Sequence, residues 1–137
     1  MNEHTTNYLN TFIEVASDCP VDKGTEPPER NGKKSIANYQ FDLLKNNPYK
    51  YTSDDIFFKV YAIRNDLSEQ EMTLEREKFF SKGKPCFRAS PLTKKYGFGI
   101  HSNADGKVAM FAMESEEYEQ FTKRQDLKVV KAMKSKK

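Results

Sequence analysis

Two strand-like segments joined by a short polar loop constrain the fold of this chain more than any other feature. Gly97–Ser102 and Lys107–Ala112 flank Asn103–Gly106, whose asparagine, aspartate and glycine are typical of a four-residue hairpin loop. A hairpin of this kind pairs its two strands antiparallel. The sequence therefore predicts an antiparallel sheet whose apolar face is covered by other elements.

Three further segments carry the signals that start a helix. Ser35 is a plausible N-cap before an apolar stripe, and Ser115 precedes a run of glutamates that favours a helix N-terminus. Ser68 followed by Glu71 forms a capping box that starts a helix. Gly83 is a natural C-terminal stop for this helix. These signals predict three helices.

The remaining segments are predicted as strands and loop. Tyr8–Val15 is rich in β-branched and aromatic residues, Ile56–Arg64 alternates apolar residues, and Pro85–Ser90 is a short run before a proline. Asp18–Lys34 is polar and rich in proline and glycine, which predicts a long loop. The predicted order is β-α-β-α-β-β-β-α, an α+β fold with helices packed on one face of a mainly antiparallel sheet. Residues 1–122 would form this single domain.

Charge is distributed unevenly along the chain. Residues 1–80 hold ten lysines and arginines against fourteen acidic residues, whereas residues 81–137 hold thirteen against six. Seven cations lie within residues 123–137, opposed only by Asp126. We interpret this segment as a basic, frayed C-terminal tail, with nucleic-acid binding as an alternative role.

Composition predicts a soluble, cytoplasmic protein. Mean hydropathy is −0.86, and no apolar run approaches the roughly 20 residues of a membrane helix. The N-terminus lacks the pattern of a signal peptide, so Cys19 and Cys86 are expected to stay reduced. Their wide separation gives no zinc-ligand spacing, and we expect no metal and no cofactor.

A candidate site is predicted around the first hairpin strand. If Pro85–Ser90 is extended, Cys86, Arg88 and Ser90 share one face, and His101 lies on the polar face of the next strand. Should the two strands lie close together, these four side chains would converge, beside space left by glycines.

The chemistry of these residues supports two interpretations. Arg88 offers a planar fork for a carboxylate or phosphate, and Lys94 and Lys95 would strengthen a preference for anions. Cys86 could instead act as a nucleophile with His101 as its base. We favour a non-catalytic domain that binds a small anionic ligand or an acidic partner, with the cysteine–histidine enzyme as the alternative.

One further motif fails on its spacing. Gly32–Ser35, with the sequence GKKS, resembles the end of a phosphate-binding loop, but Pro27 stands where the earlier glycine is required. The sequence does not indicate an oligomeric state.

Four phrases of the chain resemble a known family. They are TTNYLNTFIEVASDCP, GTEPP, PYKYTSDD and FFSKGKPCFRASPLTKKYGFGIH, and they run from about Thr5 to Phe121. These phrases are similar to a family of small bacterial proteins that is known only as a domain of unknown function. The resemblance implies a bacterial cytoplasmic protein and supplies no activity, substrate or catalytic residue.

Overall fold

The computed structural model describes residues 4–135, which have an α+β fold, as predicted. Within these residues four strands build a single sheet. The strands are β1 (Thr11–Glu14), β2 (Phe98–Ser102), β3 (Val108–Ala112) and β4 (Lys128–Lys131). The helices are α1 (Ile36–Asn46), α2 (Ser53–Arg64), α3 (Glu69–Phe79), α4 (Pro91–Lys94) and α5 (Glu116–Lys123), with a 3-10 helix at Phe87–Ala89. No helix in the described chain is long and apolar enough to cross a membrane.

The sheet has the strand order β3-β2-β1-β4 and contains both kinds of pairing. β2 and β3 form the predicted antiparallel hairpin. β1 pairs antiparallel with β2, so that Phe12 lies opposite His101 and Ile13 lies opposite Ile100. β4 pairs parallel to β1, which makes the sheet mixed and places β1 in its interior.

Each face of the sheet carries its own core. On one face Ile13 and Ile100 pack with buried residues of α1, α2 and α4. On the other face Phe12 contacts Tyr118 and Phe121 of α5, with ring centroids 5.0 Å apart in both pairs. Neighbouring residues of a strand point to opposite faces, so β1 contributes to both cores. We expected helices on one face; α5 covers the second because Phe12 makes that face apolar.

The predicted strand at Ile56–Arg64 is wrong, because these residues belong to helix α2. Ile56 and Val60 face the main core, whereas Phe58 and Ala62 face a separate cluster next to α3. Each pair is four residues apart and therefore lies on one side of a helix. Two interleaved buried stripes thus produce the alternation that is typical of a strand.

The predicted strand at Pro85–Ser90 is also wrong. Phe87–Ala89 forms a 3-10 helix, and α4 follows it directly. The Ser90 side chain accepts a hydrogen bond from the backbone N–H of Leu92, and Pro91 occupies the first helical position, where its fixed φ favours a helix. Pro91 therefore starts a helix here, and it does not end a strand.

The predicted loop at Asp18–Lys34 is confirmed as irregular and is fixed to the rest of the domain. Thr25 donates a backbone hydrogen bond of 2.8 Å to the carbonyl of Tyr96. Asn38 of α1 donates a side-chain hydrogen bond of 2.7 Å to the carbonyl of Pro27. These contacts hold the loop against α1 and the segment that enters β2.

Part of the basic tail is built into the sheet. We predicted a frayed end for residues 123–137, but β4 lies within this segment and pairs along its length with β1. Beyond β4, Met133 donates a backbone hydrogen bond of 2.8 Å to the carbonyl of Arg88. The 3-10 helix therefore contacts the tail where it leaves the sheet.

Truncation tests the structural role of β4. A chain that ends at Leu127 loses the parallel partner of β1, and we expect its free energy of unfolding to fall by about 2 kcal/mol or more. A chain that ends at Ser135 is the control and should keep the stability of the full chain. Urea denaturation followed by circular dichroism measures both. Equal denaturation midpoints for the two truncated chains would contradict a structural β4.

Candidate functional site

The four side chains that were predicted to converge do not form one cluster. His101 faces α5, where its ring stacks on the ring of Phe121 with the two centroids 4.3 Å apart. Cys86 and Ser90 flank Phe87, which belongs to the core on the other face of the sheet. His101 lies on the other face of β2 from Ile100, as the alternation predicted, but α5 makes that face aromatic and not polar. The sheet lies between His101 and Cys86 because Pro85–Ser90 is not a strand beside β2.

Two of these residues make structural hydrogen bonds. The Oγ of Ser90 is buried and lies 2.6 Å from the Oε1 of Gln40 in α1. The Nε of Arg88 donates a hydrogen bond of 2.7 Å to the carbonyl of Lys131 in β4. Ser90 therefore caps α4 and joins it to α1, while Arg88 joins the 3-10 helix to the edge of the sheet.

Cys86 has a tyrosine, and not a histidine, as its neighbour. Its Sγ lies 3.2 Å from the hydroxyl oxygen of Tyr8. The thiol borders an apolar cavity of about 260 Å³ whose lining includes Phe57, Phe79 and Lys84. Neither Cys86 nor Cys19 forms a disulfide in the described chain.

His101 is held in a mostly aromatic environment. It is 8% exposed, and its Nδ1 lies 2.8 Å from the hydroxyl oxygen of Tyr49. Burial lowers the pKa of His101 below its ordinary value, and the Arg124 guanidinium lowers the pKa further, whereas Asp126 raises it. The neutral imidazole is therefore the form that the fold favours.

The space beside β2 that we expected to remain free at Gly99 is filled by the rings of Phe12 and Tyr118.

A different place in the fold gathers cations. A cavity of about 490 Å³ lies where the end of the long loop meets α1, α2 and the segment after α4. We call it the basic cavity. Five of its lining residues are cations, and none is a carboxylate: Arg30, Lys33, Lys34, Arg64 and Lys95. Of the predicted ligand-binding residues, Lys95 lines this cavity, whereas Arg88, Ser90, His101 and Lys94 do not.

A tight turn positions two of these cations. Arg30 and Lys33 exchange two backbone hydrogen bonds, of 3.1 and 2.9 Å, around Asn31 and Gly32. Both central residues have positive φ, 55° and 71°, which is typical of a type I′ hairpin turn. Residues paired in this way project to the same side, so the Arg30 and Lys33 side chains leave the turn on the same side.

The other cations come from three further places in the chain. Lys34 pairs with Asp42 at 2.9 Å, and this hydrogen-bonded partner raises the pKa of the lysine. Arg64 is the last residue of α2, and Lys95 follows α4. The basic cavity therefore joins residues that are far apart in sequence.

A larger cavity, of about 710 Å³, lies between α2 and α3 and has balanced charge. It is lined by two cations and two carboxylates, of which Arg76 and Asp55 form an ion pair of 3.0 Å. The Arg76 guanidinium also lies over the rings of Phe58 and Phe80. This arginine already has its partners, so the basic cavity is the better candidate for a charged ligand.

Among residues 4–135, no group of three or more histidine, cysteine, aspartate or glutamate side chains could hold a metal ion.

Sequence reasoning missed most of the basic cavity, although one signal was present. The Asn31–Gly32 pair is the strongest short-range signal for a tight turn, and a cation flanks it on each side. The contributions of Arg64 and Lys95 depend on how α1, α2 and α4 pack together, which no local pattern reveals.

The electrostatics around His101 can be tested by NMR titration. Arg124→Gln should raise the pKa of His101 and Asp126→Asn should lower it, because the two charges act on the imidazole in opposite directions. Lys123→Gln is the neighbouring control. Because folding lowers the pKa of His101, the neutral imidazole contributes to the stability of the fold. This contribution is complete above about pH 6.5 and is lost as the pH falls toward the folded-state pKa of His101. Shifts of the same sign in both variants would contradict this arrangement.

The separation of Cys86 from His101 predicts independent chemistry. In a Cys19→Ser background, we expect the alkylation rate of Cys86 at fixed pH to be the same with and without His101→Gln, because the histidine cannot act as its base. Iodoacetamide labelling followed by mass spectrometry measures the rate. A loss of more than about tenfold on replacing His101 would restore the cysteine–histidine enzyme as the better hypothesis.

Comparison with known proteins identifies a family and no activity. The model of a family of unknown function, DUF6157, matches residues 3–137. This match extends past the resemblance seen at Thr5–Phe121 and includes the tail that forms β4. No curated protein and no solved structure matches the chain. The chain belongs to the DUF6157 family, whose function is unknown.

Proposed function

We propose that the protein is a non-catalytic domain that binds a small anionic ligand in the basic cavity. The observation that carries this proposal is the pairing of Arg30 and Lys33 across a tight turn, with three more cations around them. Like charges held directly opposite each other are destabilising. An anion bound between them would remove this repulsion.

Most cations of the cavity have no ion-pair partner, although the carboxylates of Asp42 and Glu29 both act on Lys34. Lys34 has Asp42 as its partner, but the other four cations form no ion pair within residues 4–135. The first turn of α1, which begins at this cavity, also contains no acidic residue. Arginine and lysine together suit an anion with several oxygens, since arginine gives a planar fork and lysine a mobile point charge.

The shape of the site favours a small molecule over an acidic protein. A cavity of about 490 Å³ has the size of ordinary small-molecule sites, which are roughly 300–1,000 Å³. The hydrogen bonds of the turn and of the loop to α1 fix the backbone that carries Arg30, Lys33 and Lys34 before any ligand arrives. Such preorganisation reduces the entropy that binding costs.

The alternatives have less support. The contacts of Cys86 and His101 with different tyrosines favour structural roles for both residues. Nucleic-acid binding by a flexible tail has less support because Lys128 and Lys131 are part of β4, a strand already paired with β1.

A cytoplasmic, bacterial origin is part of the same proposal. Two cysteines without a disulfide suit a reducing compartment. The bacterial origin rests on the resemblance described above.

Calorimetric titration with inorganic pyrophosphate tests the proposed site. Lys33→Gln and Arg64→Gln remove cations from two different elements, and each should weaken binding roughly fivefold, since an exposed ion pair contributes up to about 1 kcal/mol. Lys82→Gln is the matched control, because Lys82 is exposed and lies outside the cavity lining. Affinity should also fall as the salt concentration rises.

The same variants separate a binding role from a structural one. We expect Lys33→Gln to leave the free energy of unfolding within about 0.5 kcal/mol of the native value, or slightly higher, because the substitution removes repulsion from Arg30. Equal pyrophosphate binding by the native protein, both cavity variants and the control would overturn the proposed site, and so would absence of binding at low salt.

A further inference from the structure

One wall of the basic cavity carries no charge. This wall is apolar and includes a tyrosine. Alongside the five cations, the lining includes Ile36, Tyr96 and two prolines, Pro28 and Pro91. Ile36 is 41% exposed, although it is a large apolar residue in the first turn of α1. A simple inorganic anion makes no use of such a wall, since apolar surface is stabilised by covering it with other apolar surface.

The aromatic residue of this wall is held in place by its backbone. Tyr96 donates a hydrogen bond of 3.1 Å to the carbonyl of Pro91, and its own carbonyl accepts one of 2.8 Å from Thr25. The next residue, Gly97, has a φ of 80°, and a Cβ there would come within 2.6 Å of the Lys23 carbonyl. The Tyr96 backbone is therefore fixed between the loop and α4, and its partly buried side chain packs against the main core and also lines the basic cavity.

We propose, on the basis of the anion-binding function above, that the ligand is a phosphate monoester that carries a flat aromatic ring, as nucleotides do. The phosphate lies among the cations around Arg30 and Lys33, and the ring lies against Tyr96 and Ile36. A phosphate monoester suits the cations because it carries about two negative charges and three acceptor oxygens. Arg30 and Arg64 can each hold two of those oxygens with one planar fork.

A ring suits the other wall because of how aromatic groups interact. Rings of ligands stack on tyrosine with a gain that depends little on the identity of the base. The rigid faces of the two prolines and the Ile36 side chain supply apolar surface for the edges of such a ring. The volume of about 490 Å³ leaves room for a ring in addition to a phosphate group.

Three probes separate the role of the ring from the role of the phosphate. Adenosine 5′-monophosphate, ribose 5-phosphate and inorganic phosphate are titrated against the full chain in a calorimeter. We expect the adenosine compound to bind roughly tenfold more tightly than ribose 5-phosphate, because stacking of a base contributes about 1–3 kcal/mol. Tyr96→Leu should abolish this tenfold ratio and leave the affinity for ribose 5-phosphate unchanged, whereas Tyr96→Phe should keep the ratio.

A second variant covers the case in which Tyr96→Leu fails to fold. Ile36→Ala alters an exposed side chain and should reduce the same ratio at least twofold, by roughly the apolar contact it removes. Leu74→Ala, which is exposed on α3 outside the cavity, is its control and should change nothing.

The outcomes distinguish the two proposals. Equal affinities for adenosine 5′-monophosphate and ribose 5-phosphate, both lowered by Lys33→Gln, would overturn the aromatic ligand and leave the anion site standing. A preference for the adenosine compound that survives both Ile36→Ala and Tyr96→Leu would also overturn it. If none of the three probes binds and pyrophosphate does not bind either, both proposals fail.

Discussion

The pairing of β1 with β2 is the interaction on which the rest of the structure depends. At this pair Phe12 faces α5 and Ile13 faces the core under α1, α2 and α4, so one short strand separates two apolar layers. His101, opposite Phe12, belongs to the first layer, and Phe87 belongs to the second. A one-residue shift of the pairing would exchange the faces of every side chain in β1. The register of this pair therefore decides which residues can meet.

The local signals for helix starts and for the hairpin turn predicted well, whereas Gly83 does not end α3 and Pro91 begins a helix. The caps at Ser35, Ser68 and Ser115 are all present at helix starts, and the hairpin loop at Asn103–Gly106 joins β2 to β3 as expected. Prediction failed where a helix is buried on two sides, because its apolar residues then alternate as they do in a strand. Ile56 and Phe58 are buried in different clusters of the same helix, and the sequence alone cannot tell that arrangement from a strand.

The candidate site shows the same division. The Asn31–Gly32 turn is visible in the sequence, but the cavity beside it depends on the packing of α1, α2 and the segment after α4. The site that the sequence suggested around Cys86 and His101 required a strand at Pro85–Ser90. Because that segment contains a 3-10 helix, Ser90 and Arg88 have structural roles. Ser90 is hydrogen-bonded to Gln40, and Arg88 is hydrogen-bonded to Lys131. The proposed anion site therefore uses cations, as the sequence suggested, but at a different place in the fold.

The parallel pairing of β1 with β4 has a consequence for how the chain acquires its structure. Thr11 lies opposite Lys128, so the two strands are far apart in sequence and β4 is made long after β1. A chain emerging from the ribosome can form α1, α2 and α3 from neighbouring residues, but it cannot complete this sheet until β4 has emerged as well. Until then β1 keeps one edge with unpaired N–H and C=O groups, which is the kind of surface that pairs with other chains. β4 thus covers this edge of β1 only after the other strands of the sheet have been made.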